Sequence, residues 1–168
     1  MYIYQDEIKL EQKLKNLPEI TSKSVLDIGC NVGELHKFVK GDYIGYDIDK
    51  SVIEEGKKRY PRLDLRVGDI MDCITIETDL IIALALFHHL DNEKLEKAFE
   101  LMDCNELIFE VPVGTKKFSL YHVRSKEYYT DLALKYFEDV RIVKSGATND
   151  PYNERLIFIC KNGKTKGD

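Results

Sequence analysis

Residues 25–33 read Val25-Leu26-Asp27-Ile28-Gly29-Cys30-Asn31-Val32-Gly33. An apolar run meets an acid, then a turn with glycines at 29 and 33, then the start of a helical pattern. Ser24–Ile28 is short and apolar, as suits a buried strand. Gly29 lets the backbone turn sharply and lets a ligand approach closely. Val32–Val39 reads as a helix, whose N-terminal N–H groups suit a carboxylate or phosphate. A competing reading is the dinucleotide fingerprint G-x-G-x-x-G. Here Asn31 stands at its second glycine, so a pyrophosphate would meet a side chain, and Asp27 puts negative charge where that pyrophosphate would sit. An acid at this point fits a ligand carrying an ammonium group. A plain glycine turn explains the glycines but not the acid before them.

Strand and helix patterns alternate outward from this turn. Upstream, Gln5–Leu17 spaces Ile8, Leu10, Leu14 and Leu17 among charges, an amphipathic helix that Pro18 ends. Downstream, Asp42–Asp47 reads as a strand and Ser51–Arg59 as a helix capped by Asp49 or Ser51. Leu63–Val67 alternates apolar and charged residues, as an edge strand does. Asp79–Leu84 is apolar from Leu80 on, as in a central parallel strand covered on both faces. A helix capped by Asp91 runs to about Met102, and Glu106–Val111 is a strand. A helix over Arg124–Phe137 then precedes strands over Val140–Lys144 and Arg155–Cys160. Residues 161–168 read as a frayed tail. The pattern is α/β, a three-layer doubly wound, mostly parallel sheet. The short loop before the last strand makes that strand antiparallel. Ligands bind such sheets at the carboxyl ends of the strands.

Two of those ends carry acids. Asp47, in Tyr43-Ile-Gly-Tyr-Asp47, lies 20 residues beyond Asp27 at a strand end, where an acid hydrogen-bonds ribose hydroxyls. Asp69, in Val67-Gly-Asp-Ile70, can accept from an adenine amine, with Ile48 and Ile70 as apolar walls for the ring.

The remaining bounds come from length and composition. A chain of 168 residues is one domain by the usual prior. Its net charge is -5 and its pI about 5.5, so a basic whole-protein field for nucleic acid or anionic membrane is absent. The four cysteines form no CxxC pair, which argues against zinc or redox motifs. The N-terminus has no signal-peptide pattern, and the longest apolar stretch, Leu80–Phe87, is far shorter than the roughly 20 residues of a membrane span. A cytoplasmic location is expected.

The ordered series VLDIGCNVG, GYDID, GDI, DLIIALALFHHL and ELIFEV resembles the class I S-adenosylmethionine-dependent methyltransferases from about Ser24 to Cys160. The resemblance implies a seven-stranded sheet in the order 3-2-1-4-5-7-6, with strand 7 antiparallel. It implies an enzyme that binds S-adenosylmethionine and releases S-adenosylhomocysteine. Asp27, Gly29 and Gly33 fall around the methionine part of the cofactor, with Cys30 and Asn31 in the turn between them. Asp47 falls at the ribose and Asp69 at the adenine, with Ile48 and Ile70 beside it and Ala83 and Leu84 at the end of the fourth strand. Asn31 replaces a glycine found in many members, which bears on the turn geometry.

His88 and His89 follow the fourth strand, where related small-molecule enzymes carry a similar pair near the transferred methyl. Either could take a proton from an attacking hydroxyl or amine. In the alternative, His89 packs under the loop, and positioning and desolvation suffice without a base. Two adjacent histidines alone do not make a metal site, and no metal is expected. Lys116, Lys117 and Arg124, among Phe118, Tyr121 and His122, could hold an anionic or aromatic acceptor, and Tyr152 could close the pocket. As candidate acceptor contacts we single out Lys116, Tyr121 and Tyr152. Motifs of exocyclic base-amine, cytosine C5 and ribose 2′-O enzymes are missing. The domain is expected to divide into an N-terminal helix or lid over residues 1–22 with Tyr2 and Tyr4 before it, a cofactor core over 23–160, and the tail. Acceptor choice then falls to that helix and three short loops, or to a second subunit such as a homodimer partner. The reading is methyl transfer to an O, N or S nucleophile of a small molecule rather than a nucleic acid, without a membrane. Its alternatives are an RNA or protein methyltransferase that needs a partner, and a non-catalytic binder of the same cofactor.

Overall fold

Apolar runs that face two ways set the architecture of the chain. In the computed structural model, which describes residues 7–17, 19–114, 122–146 and 154–164, seven strands form one sheet. They are β1 (Ser24–Ile28), β2 (Asp42–Asp47), β3 (Asp64–Val67), β4 (Thr78–Leu84), β5 (Cys104–Val113), β6 (Phe137–Lys144) and β7 (Glu154–Gly163). Their order is β3-β2-β1-β4-β5-β7-β6. The pairs from β3 to β5 are parallel, and β7 runs antiparallel to both β5 and β6. The expected order and the expected antiparallel strand are both present.

Among the described residues, five α-helices accompany the sheet: α1 (Glu7–Leu14), α2 (Lys50–Arg59), α3 (Ile70–Cys73), α4 (Asn92–Leu101) and α5 (Lys126–Tyr136). Strand side chains alternate between two faces. On β5, Leu107, Phe109 and Val111 join one cluster with Phe87, Phe99, Tyr129 and Phe158 beneath α4 and α5. Phe109 and Phe158 stack there at 4.6 Å. Ile108 faces the other way, into a cluster with Leu10 and Leu14 of α1 and with Leu80, Ile82 and Ile157. Burial on both faces is why β4 and β5 read as continuous apolar runs.

Several boundaries differ from the sequence reading. The helix expected over Val32–Val39 is a five-residue 3-10 turn, Glu34–Phe38. Val39 is drawn off it into a parallel bridge with Ile20, and the amide of Lys40 donates to the Ile20 carbonyl. So short a turn carries little of the dipole expected at its start. Ser125 caps α5, its hydroxyl accepting from the Tyr128 amide at 3.1 Å, so Arg124 lies before the helix and Phe137 begins β6. The tail is not frayed from 161: β7 continues through Gly163, and Lys164 hydrogen-bonds the carbonyls of Tyr136 and Leu134. A Cβ on Gly163 would meet the Cys104 carbonyl oxygen at 2.3 Å, so only glycine fits where β7 passes β5.

Among the described residues, no helix is long and apolar enough to cross a membrane, and no group of three or more histidine, cysteine or acidic side chains could hold a metal ion.

Candidate active site

The first turn is built by hydrogen bonds to β2. Gly29 has φ +76° and Gly33 φ +86°, both left-handed. The amides of Gly29 and Cys30 both donate to the Tyr46 carbonyl, at 2.8 and 2.9 Å. Asn31 also lies in the left-handed region, at φ 54°, where asparagine is tolerated better than most residues. Its side-chain Oδ1 accepts from the Val32 amide at 2.9 Å, and its own amide donates to Asp47 Oδ2 at 2.9 Å. Asparagine thus supplies the left-handed geometry that glycine gives elsewhere and adds a hydrogen bond.

Asp47 is held from two sides, because its Oδ1 accepts from the Asp49 amide at 2.9 Å. Asp49 in turn caps α2, accepting from the Ser51 amide at 2.8 Å. The Gly68 amide donates to the Asp47 carbonyl, which draws the end of β3 alongside the end of β2. Asp27, Gly29, Asn31, Asp47 and the start of the Gly68–Ile70 turn therefore come together at the carboxyl ends of three neighbouring strands.

Asp27 is 3% exposed, and the Tyr43 hydroxyl donates to its Oδ2 at 2.6 Å. Burial raises the carboxyl pKa to about 7, the Tyr43 hydrogen bond opposes that rise, and the Asp47 charge adds to it. A group so placed is costly to ionise until a cation arrives, which suits it to a ligand ammonium. Ile48 is 68% exposed, a large apolar side chain left on the surface beside the acid expected to meet ribose. An apolar ring laid on it would cover that surface.

Other expected cofactor residues stand differently. The Cys30 side chain is buried against Ile53 and Leu65, so only its backbone faces the turn. Ile70 and Ala83 are buried in the core cluster beneath α4, and Leu84 is half-buried. Asp69 caps α3, accepting from the Met71 amide at 2.9 Å, which fixes its carboxylate at the end of β3. The α3 turn itself was hidden from sequence periodicity, being only four residues long.

The loop after β4 begins with a strained residue. Ala85 has φ 58°, and its amide donates to the Glu110 carbonyl at 3.0 Å. The side chain of Leu86 lies over Gly29, within 3.5 Å of where a Cβ would be, so this loop closes against the first turn. His88 is 4% exposed, and its ring lies 4.3 Å from that of the exposed His89. Burial, then the fields of His89 and Arg155, lower the His88 pKa to about 3. The His89 pKa is also lowered, by burial and then by Arg155. His88 is thus neutral and a weak base, which favours a positioning role for the ring over proton abstraction.

Arg124, expected near an acceptor, is turned inward. Its guanidinium donates to Asn92 Oδ1, to the Leu90 carbonyl and to the His122 carbonyl at 2.7–2.9 Å, and it lies 5.4 Å from the centre of the Tyr128 ring. The His122 amide donates to the His88 carbonyl at 2.7 Å. These contacts clamp His122 and Arg124 to the loop after β4. Lys116, Lys117, Phe118, Tyr121 and Tyr152 lie outside the described residues, as do Tyr2 and Tyr4.

Sequence reading missed Glu110. It is fully buried on β5, with Lys13 Nζ at 3.2 Å, Arg155 Nη2 at 3.0 Å and the Ser145 hydroxyl at 2.6 Å. Desolvation would raise its pKa, but Lys13, Arg155 and Ser145 outweigh it and hold the value at about 2. Only tertiary structure brings these four residues together, because they come from distant segments.

This sheet order, with cofactor-type residues at the ends of its first three strands, defines the class I S-adenosylmethionine-dependent methyltransferase fold. Residues 25–103 match the family model for a methyltransferase domain. Protein 235L of Invertebrate iridescent virus 6, provisionally named a methyltransferase, is 32% identical in a match that covers 47% of this chain and 36% of that protein. The chain thus spans about a third of the length of that relative. Three solved structures share the fold. The PH0226 protein of Pyrococcus horikoshii OT3 superposes with TM-score 0.69 at 16% identity, covering 95% of this chain and 92% of its own. A SAM-dependent methyltransferase of Archaeoglobus fulgidus gives 0.67 at 18% identity, covering 92% and 93%. Phosphoethanolamine N-methyltransferase 1 of Haemonchus contortus, in complex with phosphoethanolamine and S-adenosylhomocysteine, gives 0.70 at 14% identity, covering 96% of this chain and 44% of its own. The chain therefore has the class I methyltransferase fold, and its residues 25–103 match the methyltransferase-domain model.

Proposed function

We propose that the chain transfers a methyl group from S-adenosylmethionine to an O, N or S nucleophile on a small molecule. The observation that carries this reading is Asp27, a buried acid with a raised pKa, set beside the Asn31–Asp47 turn. When bound, the cofactor supplies an electrophilic methyl on a sulfonium centre. Asp27 would hold its ammonium group, Asp47 its ribose hydroxyls, and Asp69 and the exposed Ile48 its adenine. The Asn31 amide fixes the Asp47 carboxylate in place. Neutral His88 and the Leu86 loop exclude water and shape the path of the acceptor; methyl transfer by in-line displacement needs alignment more than a proton acceptor. The net charge of -5 weighs against unaided binding of RNA.

Isothermal titration with S-adenosylhomocysteine and with NAD tests the cofactor assignment. Binding of the first at micromolar or tighter affinity, with no binding of NAD, is expected; failure to bind S-adenosylhomocysteine overturns it. Turnover of methyl-labelled cofactor against a panel of metabolites and RNA then separates the readings. Labelling of RNA alone would replace the small-molecule acceptor, and binding without any turnover would favour a non-catalytic binder.

A further inference from the structure

We propose that the acceptor carries an anionic group, a carboxylate or a phosphate, recognised by Lys13 and Arg155 at the corner they form over Glu110. This rests on the methyltransferase reading and names the class of its acceptor. Glu110 has no exposed surface, whereas the side chains of Lys13 and Arg155 are 18% and 17% exposed. One buried negative charge is therefore faced by two positive charges, each with an edge toward solvent. Among the described residues, one cation neutralises the carboxylate and the second leaves a surplus of one positive charge. Arg155 engages Glu110 through Nε, at 3.2 Å, and Nη2, and its Nη1 takes no part in that pair.

A bound anion would complete the corner by matching two positive charges with two negative ones. The position also suits an acceptor. In register, Asp27 pairs with Ile82 of β4, and Ile82 with Ile108 of β5. Ile108 and Glu110 share a face of the sheet, so the corner lies two strands from Asp27, on the order of 10 Å away. The field of Arg155 reaches both His88 and His89 in the loop that closes the first turn. A single surplus charge in a chain of net charge -5 fits a small anion and not a polyanion.

The test is an NMR titration of the full chain saturated with S-adenosylhomocysteine, using inorganic phosphate, acetate, and methylammonium as a cation control. Phosphate or acetate should shift the Arg155 Nε–H and the Ser145 amide, and methylammonium should not. Glu110→Gln leaves two uncompensated cations and should tighten anion binding, while Lys13→Met removes the surplus and should weaken it, each by about tenfold. Lys13→Arg should restore the wild-type response. A response to phosphate alone points to a phosphate monoester, and to acetate alone to a carboxylate. No anion response, or two variants that change affinity in the same direction, overturns the proposal. Binding of S-adenosylhomocysteine is scored in the same samples: if it is intact, only the anionic acceptor falls; if it is lost in the wild type, the methyltransferase reading falls instead.

Discussion

The Tyr43 hydroxyl donates a 2.6 Å hydrogen bond to Oδ2 of Asp27, where β1 runs into the first turn. One neutral donor does not offset complete burial, so the carboxyl keeps its proton to about pH 7 in the fold but only to about 3.8 in an unfolded chain. Between these values the folded state binds the extra proton, so the contribution of this group to stability falls as pH rises through that window. A ligand ammonium reverses the preference by favouring the ionised form. The rise in Tm caused by S-adenosylhomocysteine should therefore be larger at pH 8 than at pH 6. Asp27→Asn should remove that difference and weaken binding by about tenfold or more. An equal rise in Tm at both pH values in the wild type would contradict the assignment.

Asn31 gives a second test, because its backbone angle and its side chain can be separated. Asn31→Gly keeps the left-handed angle and loses the Oδ1 bond to the Val32 amide. Asn31→Ala loses the bond and strains the angle as well, at a cost of about 1–2 kcal/mol. Urea denaturation should rank wild type and Gly close together with Ala clearly lower. Affinity for S-adenosylhomocysteine should follow the same order, since the Asn31 amide anchors Asp47. Equal stability of the Ala and Gly variants would show that the turn relaxes.

For His88 the folded pKa of about 3 lies below the ordinary 6.5, so the unfolded chain takes up a proton that the fold refuses. The sign is opposite to that for Asp27: stability from this site is complete above 6.5 and is lost as pH falls toward 3. Histidine NMR should show no titration of the His88 ring between about pH 5 and 8. The pH profile of methyl transfer should then lack a limb assigned to this residue. A ring that titrates near neutrality would restore His88 as a candidate base.

How much of this was legible beforehand depends on the range of each interaction. The strand–turn unit around Asp27 and the acids at 47 and 69 lie in consecutive βα segments, so order and spacing revealed them together. Helix ends were less legible, because tertiary contacts settle them: Ile20 takes Val39 into a bridge, and Val113 takes Arg124. Side-chain direction was not legible at all. Cys30, Ile70 and Ala83 occupy the expected positions yet point into the core. Glu110 resembled one more residue of an apolar strand with a polar neighbour, and its partners at 13, 145 and 155 are remote in sequence.

Arg124 offers the sharpest contrast between a surface cation and a structural one. The Asn92 Oδ1, Leu90 carbonyl and His122 carbonyl surround its guanidinium, and only a planar fork with several fixed donors serves all three. Lysine has the charge but not the plane, so Arg124→Lys leaves at least one of these part-buried acceptors without its donor. Both Arg124→Lys and Arg124→Met should cost about 2–4 kcal/mol in urea denaturation, with little rescue by the retained charge. Loosening the clamp should also speed hydrogen exchange at the His122 amide, which is bonded to the His88 carbonyl. If Arg124 were instead an acceptor contact, Arg124→Met would leave stability within about 0.5 kcal/mol and that amide as protected as in the wild type.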